Sequence, residues 1–123
     1  MNTKEILQYV LEYNGITLDF PFSQFRKIDH GSGYLVGIKE YTHAIHLNHF
    51  CIETIETYAF KNKAILEHDG NKYLGIWIDK TSGIVYLDIS IHIKELEQAL
   101  NLARSNKQLA IWDCANKAEI KVI

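Results

Sequence analysis

The sequence predicts an α+β (mixed α/β) domain: a small single-layer sheet with an antiparallel hairpin plus one βαβ unit, packed by helices. Three observations carry this. Residues 72–79 and 84–90 are two runs rich in β-branched and aromatic side chains, separated only by Lys80-Thr81-Ser82-Gly83, and so short a connection forces antiparallel pairing. A helical repeat over 93–105 stands between the second run and another apolar run at 108–113, the order of a βαβ unit with a right-handed crossover. Two further stretches, 3–13 and about 48–67, place apolar residues at helical spacing.

The elements follow in chain order. The first helix covers 3–13: Asn2 is placed to cap it, with Glu5 reaching back as in a capping box. Ile6, Leu7, Val10 and Leu11 form its apolar stripe, and Asn14-Gly15 supplies a left-handed stop. Residues 16–32 read as an irregular segment, with Phe20, Phe22 and Phe25 around Pro21 and turn material at Asp29-His30-Gly31-Ser32-Gly33. A strand is expected from Tyr34 to Lys39, then a second helix from Asn48 to Glu67 that buries Ile52, Ile55, Ala59 and Leu66 and ends before Asp69-Gly70-Asn71. Ala64-Ile65-Leu66 could instead open a strand that hairpins through Asp69-Gly70. In the strand 72–79, Leu74, Ile76 and Ile78 share one face and Tyr73, Gly75 and Trp77 the other, a pattern expected of a strand covered on both sides. The third helix, 93–105, faces Leu96, Ala99, Leu100 and Ala103 inward, with Ser90 or His92 as N-cap and Asn106 as left-handed C-cap. A strand at 108–113, a turn at Ala115-Asn116-Lys117 and a short strand at 119–122 complete the chain. Leu87, Ile89, Leu96, Leu100, Leu109 and Ile111 are expected in one core, with Trp77, Tyr86 and Trp112 holding it, while Tyr34, Tyr41 and Tyr58 are free to be exposed.

Bulk properties narrow the function. A chain of 123 residues fits one domain, 1–123. Thirteen basic against 15 acidic residues leave a net charge of −2, without the positive excess that direct nucleic-acid binding uses. No apolar run approaches the length of a bilayer span, and Met1-Asn2-Thr3-Lys4-Glu5 has no apolar leader core. A cytoplasmic protein without membrane contact is therefore expected. Cys51 and Cys114, far apart and outside any Cys-x-x-Cys pair, read as buried free thiols, with a disulfide between them as the alternative.

The candidate chemistries are weak. His43, His46 and His49 are spaced by three, but the third drifts around a helix and no further ligand follows at useful spacing; no metal and no cofactor are expected. Asp88, Ser90 and His92 are the residue types of a hydrolase triad, yet alternate residues of one strand project in parallel instead of converging. Gly31-Ser32-Gly33 lacks the lysine and helix of a phosphate cradle. The chain is expected not to be an enzyme.

The runs Tyr73-Leu74-Gly75-Ile76-Trp77-Ile78-Asp79 and Val85-Tyr86-Leu87-Asp88-Ile89-Ser90, then Asn106 to Asp113 and Glu119-Ile120, carry a family likeness over about the last 50 residues. In them the chain resembles immunity proteins of bacterial contact-dependent growth inhibition systems, of the type paired with a ribonuclease-A-like toxin. That resemblance implies a cytoplasmic inhibitor that covers the active site of a cognate toxin C-terminal domain, a basic nuclease. The alternative is a small phage- or plasmid-type regulatory or ligand-binding protein. On the first reading, Glu40, Tyr41, Glu53 and Glu56 are the expected partner-binding residues, acidic groups beside an aromatic in the N-terminal half.

Overall fold

The computed structural model describes residues 1–68 and 70–122. Helix α1 (Thr3–Tyr13) opens with a closed capping box: the Glu5 amide donates to Asn2 Oδ1 at 2.8 Å and the Asn2 amide to Glu5 Oε1 at 2.9 Å. Two otherwise orphaned donors of the first turn are thereby satisfied. Asn14, at φ 69°, ends the helix in the left-handed conformation.

The segment expected to be irregular contains two strands, β1 (Gly15–Asp19) and β2 (Arg26–Lys27), antiparallel to each other and separated by a 3-10 turn at Pro21–Ser23. Ile16 and Leu18 do alternate with Thr17, but over too few residues to stand out. Next come β3 (Tyr34–Gly37) and β4 (His43–His46), the latter in a stretch given no strand from sequence. The expected helix over 48–67 is a 3-10 turn at Leu47–His49 followed by two helices, α2 (Ile52–Lys61) and α3 (Lys63–His68). They break at Asn62, whose buried side chain donates to the Tyr58 carbonyl at 2.9 Å. The expected turn at Asp69 lies outside the described residues.

Strands β5 (Lys72–Asp79) and β6 (Ile84–Ile93) form the expected hairpin, in register from Asp79↔Ile84 to Lys72↔Ile91. Helix α4 (Leu96–Ser105) starts later than expected because β6 continues through Ile93 to pair with Tyr34. Ser90 and His92 therefore lie inside the strand and cap nothing; the N-cap is Glu95. The left-handed residue beyond α4 is Lys107 (φ 56°), not Asn106 (φ −88°). Strands β7 (Ala110–Asp113) and β8 (Ala118–Lys121) follow.

The sheet order is β2-β1-β5-β6-β3-β7-β8, and β4 pairs with the first half of β6 while β3 pairs with the second. Every pairing is antiparallel. Because β6 and β7 are both antiparallel to β3, they run parallel to each other. The βαβ unit β6–α4–β7 is thus present, with β3 inserted between its strands.

The helices pack on one face. Leu74, Ile76 and Ile78 of β5 pair with Ile89, Leu87 and Val85 of β6, all buried, and Ile6, Val10, Ile55, Ala59 and Leu66 from α1, α2 and α3 close over them. Under α4 a smaller cluster holds Val36, Ala99, Ala103 and Ile111, with Leu100 against it. The single core expected for six residues is therefore two: Leu87 and Ile89 belong to the first, Leu100 and Ile111 to the second. Leu96 and Leu109 face outward, Leu109 being 86% exposed. The apolar pattern also misplaces the aromatics. Trp77 and Trp112, expected in the core, are 41% and 40% exposed, because their side of the sheet carries none of the packed helices. Tyr58, expected to be free, is buried and its hydroxyl donates to the Tyr41 carbonyl at 2.5 Å. Among the described residues no helix is long and apolar enough to cross a membrane.

Candidate functional site

Strand alternation dictates what the open face presents. Strand β5 contributes Tyr73, Gly75 and Trp77; β6 contributes Tyr86, Asp88, Ser90 and His92; β3 adds Leu35 and Gly37, and β7 adds Trp112. Trp77 and Tyr86 are cross-strand partners whose rings stack at 4.6 Å and 22°. Leu35 separates His92 from Trp112 in the next rows. The result is an aromatic sheet surface with Asp88 on its central strand, β6.

The cross-strand partner of Asp88 is Gly75, where a Cβ would stand 2.6 Å from Asp88 Oδ1, so the missing side chain is what makes room for the carboxylate. On the other side a Cβ at Gly37 would meet Gln108 Oε1 at 3.2 Å and Asp88 Oδ2 at 3.9 Å. Two glycines in neighbouring strands thus frame the carboxylate in a slot, the close approach that glycine inside a strand commonly signals. Asp88 is half-buried. Among the described residues it makes no ion pair and no hydrogen bond, although the Tyr58 hydroxyl is near enough to feel its charge, and burial pushes its pKa up from 3.8 to about 6. The contrast with Asp19 is instructive: at the sheet edge it holds Arg26 at 2.6 Å.

The residues expected to bind a partner do not form one patch. Glu53 and Glu56 are exposed on α2, and Glu56 accepts from the Thr3 hydroxyl at 3.4 Å beside a depression lined by Met1, Phe20, Phe25 and Phe60. Glu40 lines a different depression with Ile38, Ser105, Asn106 and Lys107. Tyr41 is half-buried against the large core. Trp77, Tyr86 and Trp112, expected to hold the core, lie on the open face instead. The strand glycines Gly75 and Gly37 were the available signal for the slot.

Asp88, Ser90 and His92 do share the open face, in a row along β6. Ser90 is buried, and His92 Nε2 meets the Ser32 carbonyl at 2.8 Å instead of a hydroxyl. His43 and His46 lie on β4 and His49 in the 3-10 turn after it, so they share no helix. Of the cysteines, Cys114 is buried and free as expected, but Cys51 is exposed at the N-cap of α2, where the Thr54 hydroxyl lowers its thiol pKa. A second polar group gathers at one end of the open face: His30, His92 and Cys114 each bring a donor atom within 4.8 Å of the other two.

Compared with family models, with curated proteins and with solved structures, the chain matches none.

Proposed function

We propose that this protein is a non-enzymatic cytoplasmic immunity protein, and that it neutralises a cognate secreted toxin domain, a basic ribonuclease, by covering its active site with the open face of the sheet. One observation carries the reading: a half-buried carboxylate, with no cation against it among the described residues, stands in a glycine-framed slot beside exposed aromatic side chains. Burial without a counter-charge is unfavourable in the free protein. An arginine or lysine from a basic partner would supply the missing charge, and the Trp77–Tyr86 stack would receive its aliphatic stem or guanidinium plane. Aromatic anchors around a desolvated charge pair are the composition of an interface hot spot. The overall charge of −2 favours encounter with a basic domain.

The test is inhibition of RNA cleavage by the C-terminal domain of the toxin encoded beside this chain, with copurification as the binding readout. Wild-type protein should form the complex, and Asp88→Lys should weaken it about 30-fold or more, the loss expected when one partner of a buried charge pair is reversed. The double reversal Glu53→Lys/Glu56→Lys discriminates the surfaces: on the open-face reading it leaves inhibition intact. Loss of inhibition in that variant, with Asp88→Lys unaffected, would move the interface to α2; no complex with wild type would end the immunity reading.

A further inference from the structure

We propose that His30, His92 and Cys114 form a site for one zinc ion, which pins the 28–33 loop to the end of β6 and to the β7–β8 hairpin. This rests on observations separate from the slot at Asp88. The three residues come from three segments that sequence spacing does not group: a loop, the far end of a long strand, and the residue after β7. The fold brings one donor atom of each within 4.8 Å of the others. Backbone contacts hold the segments together, since the Cys114 amide donates to the Gly33 carbonyl at 3.0 Å. Gly33, at φ 77°, is required here, because a Cβ would run into the His92 ring.

The imidazole donors are in usable states. His92 Nε2 lies 2.8 Å from the Ser32 carbonyl; a carbonyl only accepts, so Nε2 carries the hydrogen and the neutral ring keeps its lone pair on Nδ1. A ligand histidine oriented by a backbone carbonyl is a recurrent outer-shell arrangement of metal sites. His30 Nε2 is buried and has no hydrogen-bond partner, and it is the one such side-chain atom found among the described residues. Buried polar atoms without partners are exceptions, and an ion is one of their explanations. Burial, and after it the nearby Asp113 and Asp29, raise the Cys114 thiol pKa, so an ion must displace its proton; the same two carboxylates, Asp29 also paired with Lys117, favour a cation.

Two imidazoles and a thiol select a borderline-to-soft ion, zinc before calcium or magnesium, with the fourth position left to water. Binding replaces the S–H bond of Cys114 by a sulfur–zinc bond and releases the proton to solvent. As they stand, the His30 and His92 rings are stacked at 4.1 Å and 10°, so their lone pairs lie in parallel planes and do not converge on one point midway between the rings. Loading therefore turns the His30 ring out of the stack and draws the donors to the separations of about 3.3–3.8 Å that tetrahedral zinc imposes.

The experiment uses tag-free protein stripped by a chelator and titrated with Zn²⁺, and in parallel with Co²⁺ as a spectroscopic probe. Wild type should take up one equivalent of zinc, with a higher melting temperature when loaded. Cobalt should give a thiolate charge-transfer band together with tetrahedral d–d bands. Cys114→Ala should lose the charge-transfer band, and His30→Gln, on the loop, should weaken zinc about 100-fold or more. Should Cys114→Ala fail to fold, His30→Gln decides. Less than stoichiometric zinc in wild type, wild-type affinity in folded His30→Gln, or binding abolished by His43→Ala/His46→Ala/His49→Ala would each overturn the site.

Discussion

Replacing Asp88 by asparagine should make the protein more stable at neutral pH while removing the charge that a partner would read. Unfolded, this carboxyl ionises near 3.8; folded, near 6. The folded state therefore holds the proton more tightly, so the stability associated with Asp88 is fully present below about pH 4 and is lost as pH rises through 6. The difference of about 2 pKa units, at about 1.36 kcal/mol each, amounts to roughly 3 kcal/mol at pH 8. That value is a ceiling, because the half-buried carboxylate keeps some contact with water. An asparagine side chain has the same shape and does not titrate. In urea denaturation, with a slope of about 1.5 kcal/mol per molar, the midpoint at pH 8 should rise by up to roughly 2 M. The gain should shrink through pH 6 and vanish near pH 4. Equal or lower stability of Asp88→Asn at pH 8, or a gain that does not change with pH, would refute the claim that this carboxylate is buried without a counter-charge. The same carboxylate should make toxin binding strengthen between pH 5 and 7, since a bound cation favours its ionised form.

Two further outcomes test the packing. Gly75→Ala would set a Cβ 2.6 Å from Asp88 Oδ1 and should cost about 1–3 kcal/mol; most of that cost should disappear in an Asp88→Ala background, a coupling read by a double-mutant cycle in urea. Leu74→Ala, fully buried between β1 and β6, should lose about 2–5 kcal/mol, whereas Leu109→Ala at 86% exposure should stay within about 0.5 kcal/mol of wild type by thermal melting.

Local chemistry made part of this structure legible from the chain alone. The capping box of Asn2 and Glu5, the stop at Asn14, the β5–β6 hairpin and the strand–helix–strand order of the C-terminal half all rest on interactions between residues close in sequence. Such interactions act whatever the rest of the fold does. Short elements were hidden for the converse reason. The five residues of β1, the two of β2 and the four of β4 are strands because longer strands offer them hydrogen bonds, a tertiary cause without its own periodic signal. The break at Asn62 likewise depends on burial, which turns a helix-compatible residue into a carbonyl-bonded interruption.

The candidate sites lay on the far side of that divide. Composition identifies β5 and β6 as strands apolar on both faces, but it does not say which face the helices cover, since Trp77 and Tyr86 are as apolar as a core and as suited to an interface. Only the packing of α1, α2, α3 and α4 on the Leu74–Ile89 side turns the other side into an open aromatic surface and Asp88 into a desolvated charge. In sequence His30, His92 and Cys114 are merely far apart. They meet because β3 enters between β6 and β7 and carries the 28–33 loop to them. Side-chain identity and spacing dictate local conformation through short-range forces, whereas sidedness, burial and convergence arise only when the strands choose their neighbours.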